Sequence, residues 1–441
     1  MKSGFSKQSP HSHPTFFSRR ISNTLTFGLA MLLFGSIMAC SGANETTPSV
    51  DASSVQVEDT GLSPDILEPS FEHLALLASV SNNVISPLLG DFQVLTHDLH
   101  ATAVVYADLV HNGETDTAEA LADLQSSWSS TMDTWQELEL LQIGPAAAVS
   151  EFVGGEGLRD EIYSWPSVNT CRVDQEIVEN VFADDIFFEQ NLVNVYGLDA
   201  LEYLLFYHES DNTCSSLVKI NSDGLWAALN DTEKAQRRVD YAVVLTESIK
   251  EHADQLLLLW TEADTGFTKQ LSEAGLDTSV YETSQLAMDE LFAALFTLDT
   301  VVKDKKMAIP LGISDSCSGD ICVDELESRW AHYSKENIIA NLKGFQRAFL
   351  GGAPPDGDWG FDDALVEAGA EALAQEIKED VENALSVLEG MPDSFLEHLE
   401  SADGQAQQAY EAVKKVTDHL KGDVPAVLKL EIPKEAAGDA D

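Results

Sequence analysis

Apolar residues recur at helical spacing along most of this 441-residue chain, and alternating, strand-like runs are few. In the first such segment, Leu88, Phe92, Leu95, Leu99 and Tyr106 fall on one stripe. The same criterion predicts helices at residues 88–110, 117–141, 174–189, 197–207, 232–261, 283–303, 334–350, 362–388 and 393–420. The pattern therefore predicts an all-α protein.

Glycine and proline separate these segments, at residues 144–145, 165–166, 310 and 351–360. Long antiparallel helices joined by such loops pack as bundles, and a chain of this length exceeds what one core commonly serves. We therefore predict two antiparallel helical-bundle domains. They are expected to cover residues 70–230 and 231–421, followed by a frayed tail at 422–441.

The N-terminal segment has the charge order of an export signal. Its first 39 residues contain four basic residues and no acid, and end in an apolar run. The run closes with Ile37, Met38, Ala39 and Cys40, which resembles the lipobox of bacterial lipoproteins. We predict a signal peptide at 1–39 and lipidation of Cys40; an ordinary signal peptide with an incidental cysteine is the alternative.

The residues after Cys40 match the needs of a lipid-anchored protein. Residues 40–69 are rich in Ser, Thr, Pro and Asp, as expected of a flexible tether. Ser41, rather than an aspartate, favours the outer membrane over retention at the inner one. The predicted location is the cell envelope, lipid-anchored and facing the periplasm.

Charge excludes whole classes of partner. The chain has 75 acidic and 25 basic residues, a net charge of −50. Because such an acidic surface repels phosphate groups, binding to nucleic acid and direct adsorption to anionic lipid are excluded as main interactions. Most of this charge is expected on solvated helix faces.

Four cysteines remain after the predicted cleavage besides Cys40, and an exported protein is expected to pair them. Three pairings are formally open. We favour Cys171 with Cys214 and Cys317 with Cys322, because the last two share one short polar loop. Their spacing does not fit a CxxC redox or zinc motif.

Familiar catalytic motifs are absent from the sequence. It has no HExxH, GxSxG, GxxxxGK[ST] or GxGxxG pattern, and its 11 histidines form no evident metal cluster. A recognisable activated nucleophile is therefore lacking, and the sequence by itself does not define an enzyme.

One acidic segment carries the candidate chemistry. Residues 173–218 contain ten carboxylates and no Lys or Arg. Within it, Asp199 and Glu202 lie three residues apart on one side of a short apolar helix and border its buried face. Desolvated carboxylates need a cation, a proton or donors, and oxygen ligands favour hard ions. The alternative is a capped helix whose acids are satisfied by the protein.

At these residues the sequence resembles the imelysin family, also called peptidase family M75. That family's GxHxxE motif corresponds here to Gly197, Asp199 and Glu202, followed by the apolar run 203–206. Further landmarks of the resemblance lie in order over about residues 70 to 420: Val84 to Pro87, Leu95, Trp128, Trp135, Glu139, Gly144, Pro145, Ser164 to Pro166, Glu327, Ser328, Trp330, Ser334, Asn341, Gly344 and Gly351.

The resemblance implies two helical bundles with the motif near their interface, and a role in bacterial iron uptake. It also implies possible support of the site by Gly197, Glu139, Glu327 and Ser328. Asp199 replaces the family's histidine, which shifts preference away from imidazole-preferring metals or leaves a structural site.

The predicted function is an envelope-anchored protein that binds a hard metal cation, iron favoured, as an accessory of iron uptake. Asp199 and Glu202 are the predicted ligands, and the expected partners are the membrane, through the lipid anchor, and iron-transport components. A metallopeptidase-like hydrolase and a structural lipoprotein with a degenerate site are the alternatives.

Overall fold

The computed structural model describes residues 71–149, 152–184, 186–355 and 357–433. Helices and loops make up this part of the chain, which contains no strand. The first elements are α1 (Phe71–Ser79), a π-helical segment (Val80–Ile85), α2 (Ser86–His111), α3 (Ala118–Glu139), α4 (Leu158–Ile162), α5 (Thr170–Glu179), α6 (Phe187–Gln190), α7 (Leu198–Phe206), α8 (Lys219–Ser222) and α9 (Leu225–Ala228). The all-α prediction is confirmed.

The second half of the chain begins with the longest helix, α10 (Asp231–Thr261). It continues with α11 (Phe267–Ser272), α12 (Ser284–Leu295), a π-helix (Leu298–Ala308), α13 (Ser334–Leu350), α14 (Phe361–Glu367), α15 (Glu371–Glu389), α16 (Phe395–Ser401), α17 (Gln405–Lys421) and α18 (Asp423–Leu428). Single 3₁₀ turns lie at Gly144–Ala146, Val193–Val195 and Val323–Glu325. The predicted tail thus contains a helix, α18, whose Val424 is buried.

Local signals explain the ends of the long helices. A capping box between Asn230 and Glu233 starts α10, since each side chain accepts a backbone N–H of the other residue. Gly351, with a φ of +67°, ends α13 in the left-handed conformation that glycine adopts without strain. Trp128, Trp135 and Trp260 are buried, as their spacing predicts.

Four predicted helices are interrupted. The segment 174–189 breaks after Asn180 (φ +56°), 362–388 breaks at Gly369 (φ +85°), and 393–420 breaks between Ala402 (φ +50°) and Gly404 (φ +85°). The segment 283–303 changes at residue 296 from α-helix to π-helix. Apolar spacing missed these breaks because the segments on both sides bury apolar faces in the same core.

The long helices form a continuous series of packed neighbours. Helix α10 lies along α2, α2 along α3, and α3 along α13. Helix α15 and the 298–308 π-helix pack onto α13, and α17 packs onto both of them. The described residues all belong to one compact unit. The boundary predicted at residue 230 would assign α2 and α10 to different domains, although these two helices pack together. The division into two bundles stays a prediction.

Both predicted disulfides are present, Cys171 to Cys214 and Cys317 to Cys322. The first joins the start of α5 to the loop after α7, at the two ends of the acidic segment. Within the described residues, no helix has the length and apolar character needed to cross a membrane. The predicted signal peptide, Cys40 and the tether at 40–69 lie outside the described residues.

Candidate metal site

Helix α7 is buried on every side and carries both predicted ligands. Gly197 precedes it at a φ of +96°, and a Cβ there would lie 2.9 Å from both Asp199 Oδ1 and the Ile162 carbonyl oxygen. A glycine is therefore required before the helix. The indole N–H of Trp128 donates to the Leu198 carbonyl oxygen at 2.9 Å and ties the first turn to α3.

Asp199 is buried, with 3% of its surface exposed. Its Oδ2 accepts a hydrogen bond from Ser164 Oγ at 2.9 Å, and its Oδ1 accepts one from the Ala200 backbone N–H at 3.0 Å. Burial raises the pKa of Asp199 to about 7, although these hydrogen bonds act in the opposite direction. Neither of these hydrogen bonds from described residues comes from a basic side chain.

Glu202 lies one turn further along α7 and is also buried. Its Oε1 accepts the backbone N–H groups of Trp330 at 2.8 Å and Ala331 at 3.0 Å, while Oε2 accepts no hydrogen bond from a described residue. Burial raises the pKa of Glu202 to about 8, and the charges of Asp199 and Glu327 add to the increase. One carboxylate oxygen is thus left for another ligand.

A pocket of about 120 Å³ opens onto both carboxylates. Ser328, Glu325, Arg329 and Trp330 also line it. Arg329 forms an ion pair with Asp324 at the rim, and its guanidinium lies 4.4 Å from the Trp330 ring centre. Ser328 accepts a hydrogen bond from Asn337 Nδ2 at 2.9 Å, so its hydroxyl is held at the pocket wall.

Glu139 and Glu327 bind a buried lysine that the sequence analysis missed. Lys306 Nζ lies 2.5 Å from Glu139 Oε2 and 2.9 Å from Glu327 Oε1. It also donates to Gln136 Oε1 at 2.5 Å and Asn341 Oδ1 at 2.9 Å. The predicted support residues Glu139 and Glu327 therefore lie close to the motif but share Lys306, whose single positive charge offsets only one of the two carboxylates. A signal existed, because Lys306 directly precedes the apolar residues 307–309.

The two groups of acids are adjacent. Tyr163 donates to Glu327 Oε1 at 2.6 Å, and burial together with the charges of Glu327, Glu139 and Asp199 raises the pKa of this tyrosine. Burial also raises the pKa of Glu327, against the effect of Lys306. One ammonium group thus stands against four buried carboxylates, those of Glu139, Asp199, Glu202 and Glu327.

A second group of side chains has the spacing of metal ligands. It includes a histidine, which corrects the expectation that the histidines form no metal-like cluster. Glu376, Asp380 and His419 place one ligand atom each within 4.8 Å of one another, the sole such set of three among the described residues. It lies on α15 and α17 at the surface, and His419 also contacts Asp423 at 3.3 Å. Among the described residues, Asp199 and Glu202 do not belong to such a set of three, so a cation bound there would complete its coordination with other oxygen ligands or water.

The fold and the buried acidic helix define a class of all-helical proteins with a carboxylate motif on a central helix. The family model described as Imelysin (peptidase family M75) matches residues 99–421. The chain belongs to the imelysin family. No curated protein matches it significantly.

Two solved structures share the fold. One is described as an iron-regulated protein A precursor from Parabacteroides distasonis; it is 14% identical, with 81% of this chain and 95% of that chain covered and a TM-score of 0.61. The other is an imelysin-like protein from Psychrobacter arcticum, 16% identical, with 82% and 97% covered and a TM-score of 0.57.

Proposed function

We propose that this imelysin-family protein binds a hard metal cation through Asp199 and Glu202, with iron as the favoured metal. The observation that carries the proposal is the charge balance of the site. Four neighbouring buried carboxylates face one buried ammonium group, Lys306, which contacts only Glu139 and Glu327 among them. The other cation of the pocket, Arg329, is paired with Asp324 at the rim. A buried carboxylate pair without a cation must take up protons or remain costly to ionise.

The ligand chemistry fits a hard cation. Both candidate ligands are carboxylates, Glu202 Oε2 is free of hydrogen bonds from described residues, and the pocket of about 120 Å³ leaves room for water. The remaining oxygens are oriented by Ser164 and by the N–H groups of Trp330 and Ala331. Hydrogen bonds of this kind hold the ligand oxygens in place before the metal binds.

We further propose that the protein serves iron acquisition at the cell envelope, anchored by lipid on Cys40. Three facts support this role: family membership, the description of a protein of the same fold as iron-regulated, and the export-type N-terminus with its lipobox-like end. A transporter component that receives or delivers the metal is the partner this role requires.

Metal titration tests the proposal directly. Chelator-treated protein is titrated with Fe(II) under anaerobic conditions, Fe(III), Mn(II) and Ca(II), with calorimetry and thermal unfolding as readouts, alongside elemental analysis of the protein as purified. At a hundredfold excess over Kd, binding stabilises the native state by about 2.7 kcal/mol. We expect Glu202→Gln to abolish this shift and Asp199→His to retain binding with a preference moved toward Fe(II) or Zn(II).

Two matched variants separate the site from other acids. Glu189→Gln removes an exposed charge from the same acidic segment, and His419→Gln dismantles the surface group of Glu376, Asp380 and His419. Both variants should show the same metal-dependent stabilisation as the wild type. The proposal fails if the wild type shows no metal-dependent shift, or if Glu202→Gln shifts as much as the two controls.

A further inference from the structure

We propose that a second pocket, at the crossing of α10 with the end of α7, binds a small monocarboxylate with a flat apolar body. This carboxylate pocket has a volume of about 290 Å³ and shares no lining residue with the metal site. Its size lies near the lower end of the range for small-molecule sites. The inference is independent of metal binding.

The walls of the carboxylate pocket are apolar and aromatic. Leu121 of α3 and Leu204 and Leu205 of α7 contribute aliphatic surface. Tyr106 of α2 and Trp226 of α9 add aromatic rings. Aromatic side chains in a pocket wall pack well against the flat, apolar surface of a ligand. These side chains come from four helices that the core already holds together, so the pocket is formed without a ligand.

Two cations line the carboxylate pocket from successive turns of α10. Lys234 lies 4.8 Å from the Trp226 ring centre, donates to the Ser210 carbonyl oxygen at 3.3 Å and forms no ion pair with any described carboxylate. Arg238 donates to the Tyr207 carbonyl oxygen at 3.2 Å and lies over aromatic rings. Lys234 therefore has no ion pair with a described carboxylate in a chain with three acidic residues for each basic one, whereas Arg238 has one long ion pair, with Asp174.

The acid nearest to Arg238 is already satisfied by other groups. Asp174 Oδ1 and Arg238 Nη2 form an ion pair at 3.8 Å, a separation too long for a hydrogen bond. The Asp174 carboxylate instead accepts hydrogen bonds from Tyr203 OH at 3.0 Å and from the Thr213 backbone N–H at 2.8 Å. Because this ion pair is long and Arg238 Nη2 makes no hydrogen bond to a described residue, the guanidinium keeps donor capacity for an external anion, and its planar donors match a carboxylate.

The rim of the pocket limits the charge of the ligand. Glu209 and Asp231 are exposed and line it, which balances the formal charges of Lys234 and Arg238. A dianion or polyphosphate would meet these rim acids, whereas one carboxylate can reach the half-buried cations below them. Charge and shape together select a monoanion.

The probe for this proposal is 2-naphthoate, with 2-naphthalenemethanol as its neutral analogue and 2,6-naphthalenedicarboxylate as its dianion. Calorimetric titration of the chelator-treated protein should show saturable 1:1 binding of 2-naphthoate. The alcohol and the dianion should each bind at least about tenfold more weakly, since each loses or opposes a charge-assisted contact.

Substitutions on α10 assign the binding to the carboxylate pocket. Arg238→Gln and Lys234→Gln should weaken 2-naphthoate binding by about tenfold or more and severalfold, respectively. Lys250→Gln, on the same helix but outside the pocket, should bind as the wild type does. If Arg238→Gln fails to fold, the comparison of 2-naphthoate affinity between Lys234→Gln and Lys250→Gln tests the proposal. Absence of saturable binding, equal affinity for acid and alcohol, or equal weakening by Lys250→Gln overturns the proposal.

Discussion

At the scale of single residues, Lys306 decides how much negative charge the core carries. Its side chain is fully buried, and its ammonium contacts Glu139 and Glu327 directly. Removing one partner of a buried ion pair leaves an uncompensated charge, which is costlier than losing an exposed pair. The residues that surround the motif are therefore coupled to a lysine on a distant segment of the chain.

Lys306→Met should lower the free energy of unfolding by about 3–5 kcal/mol at pH 8, because two buried carboxylates lose their counter-charge. Lys305→Met changes an exposed neighbour on the same π-helix and should stay within about 0.5 kcal/mol of the wild type. Adding Glu327→Gln to Lys306→Met should recover part of the loss. Urea unfolding measures all three, and equal stability of the two lysine variants would contradict the role of Lys306.

The raised pKa of Glu202 predicts a pH dependence in metal-free protein. The folded-state pKa is about 8, against an ordinary value of 4.5, so the unfolded chain releases this proton first as pH rises. Below about pH 4.5, Glu202 is protonated in both states and does not reduce the free energy of unfolding. As the pH rises from there to about 8, Glu202 lowers the free energy of unfolding progressively. Each pKa unit corresponds to about 1.4 kcal/mol.

Glu202→Gln removes this titration, while its amide oxygen can still accept the N–H groups of Trp330 and Ala331. With chelator present, the variant should be more stable than the wild type at pH 8 by a few kcal/mol, and the gap should close toward pH 5. Urea unfolding at pH 5, 6.5 and 8 measures the gap. A gap that does not change with pH would show that Glu202 keeps the same ionisation in both states.

At the scale of elements, the site depends on how closely α3 and α13 approach. Glu139 lies at the end of α3 and Asn341 on α13, and both contact Lys306. Gly344 of α13 meets the backbone of α3, where an added Cβ would lie 2.1 Å from the Glu137 carbonyl oxygen. Glycine thus permits the spacing that brings the carboxylates and Lys306 together.

Gly344→Ala should destabilise the protein by about 1–3 kcal/mol, because the backbone of α3 must move. Gly90→Ala is the matched control, since a Cβ at this position in α2 meets no atom within 4 Å. It should stabilise the protein by about 0.5–1 kcal/mol through helix propensity alone. Thermal unfolding should therefore shift in opposite directions, and shifts of the same sign would refute the close-approach argument.

At the scale of the whole molecule, we predict that a lipid anchor at Cys40 holds the protein at a membrane. Cys40→Ala should release the protein from membranes or leave it unprocessed, because a multiply acylated N-terminal cysteine holds firmly to a bilayer. Membrane fractionation, with mass analysis of the N-terminus, measures this. Equal membrane retention of a processed Cys40→Ala protein would reject lipidation. Wild-type protein should fractionate with the outer membrane in a two-membrane cell.

Several features of the molecule followed from sequence alone. The helical spacing of apolar residues predicted the all-α fold, since that spacing directly reflects which face of a helix is buried. The disulfides, Cys171 to Cys214 and Cys317 to Cys322, also followed, because export and a short shared loop favour these pairs. The motif helix was located within one residue at each end, at 197–207 predicted against Leu198–Phe206 observed.

Tertiary structure alone decided which charges meet. Lys306 follows Glu139 by 167 positions, and no local pattern relates the two residues. The same holds for Glu202, whose carboxylate accepts N–H groups of Trp330 and Ala331 from a loop 128 and 129 positions away. Periodicity reports burial along one element, whereas ion pairs and pocket walls depend on how separate elements pack. Lys234 and Arg238 likewise line a pocket only because α10 crosses α7 beside Tyr106 and Trp226.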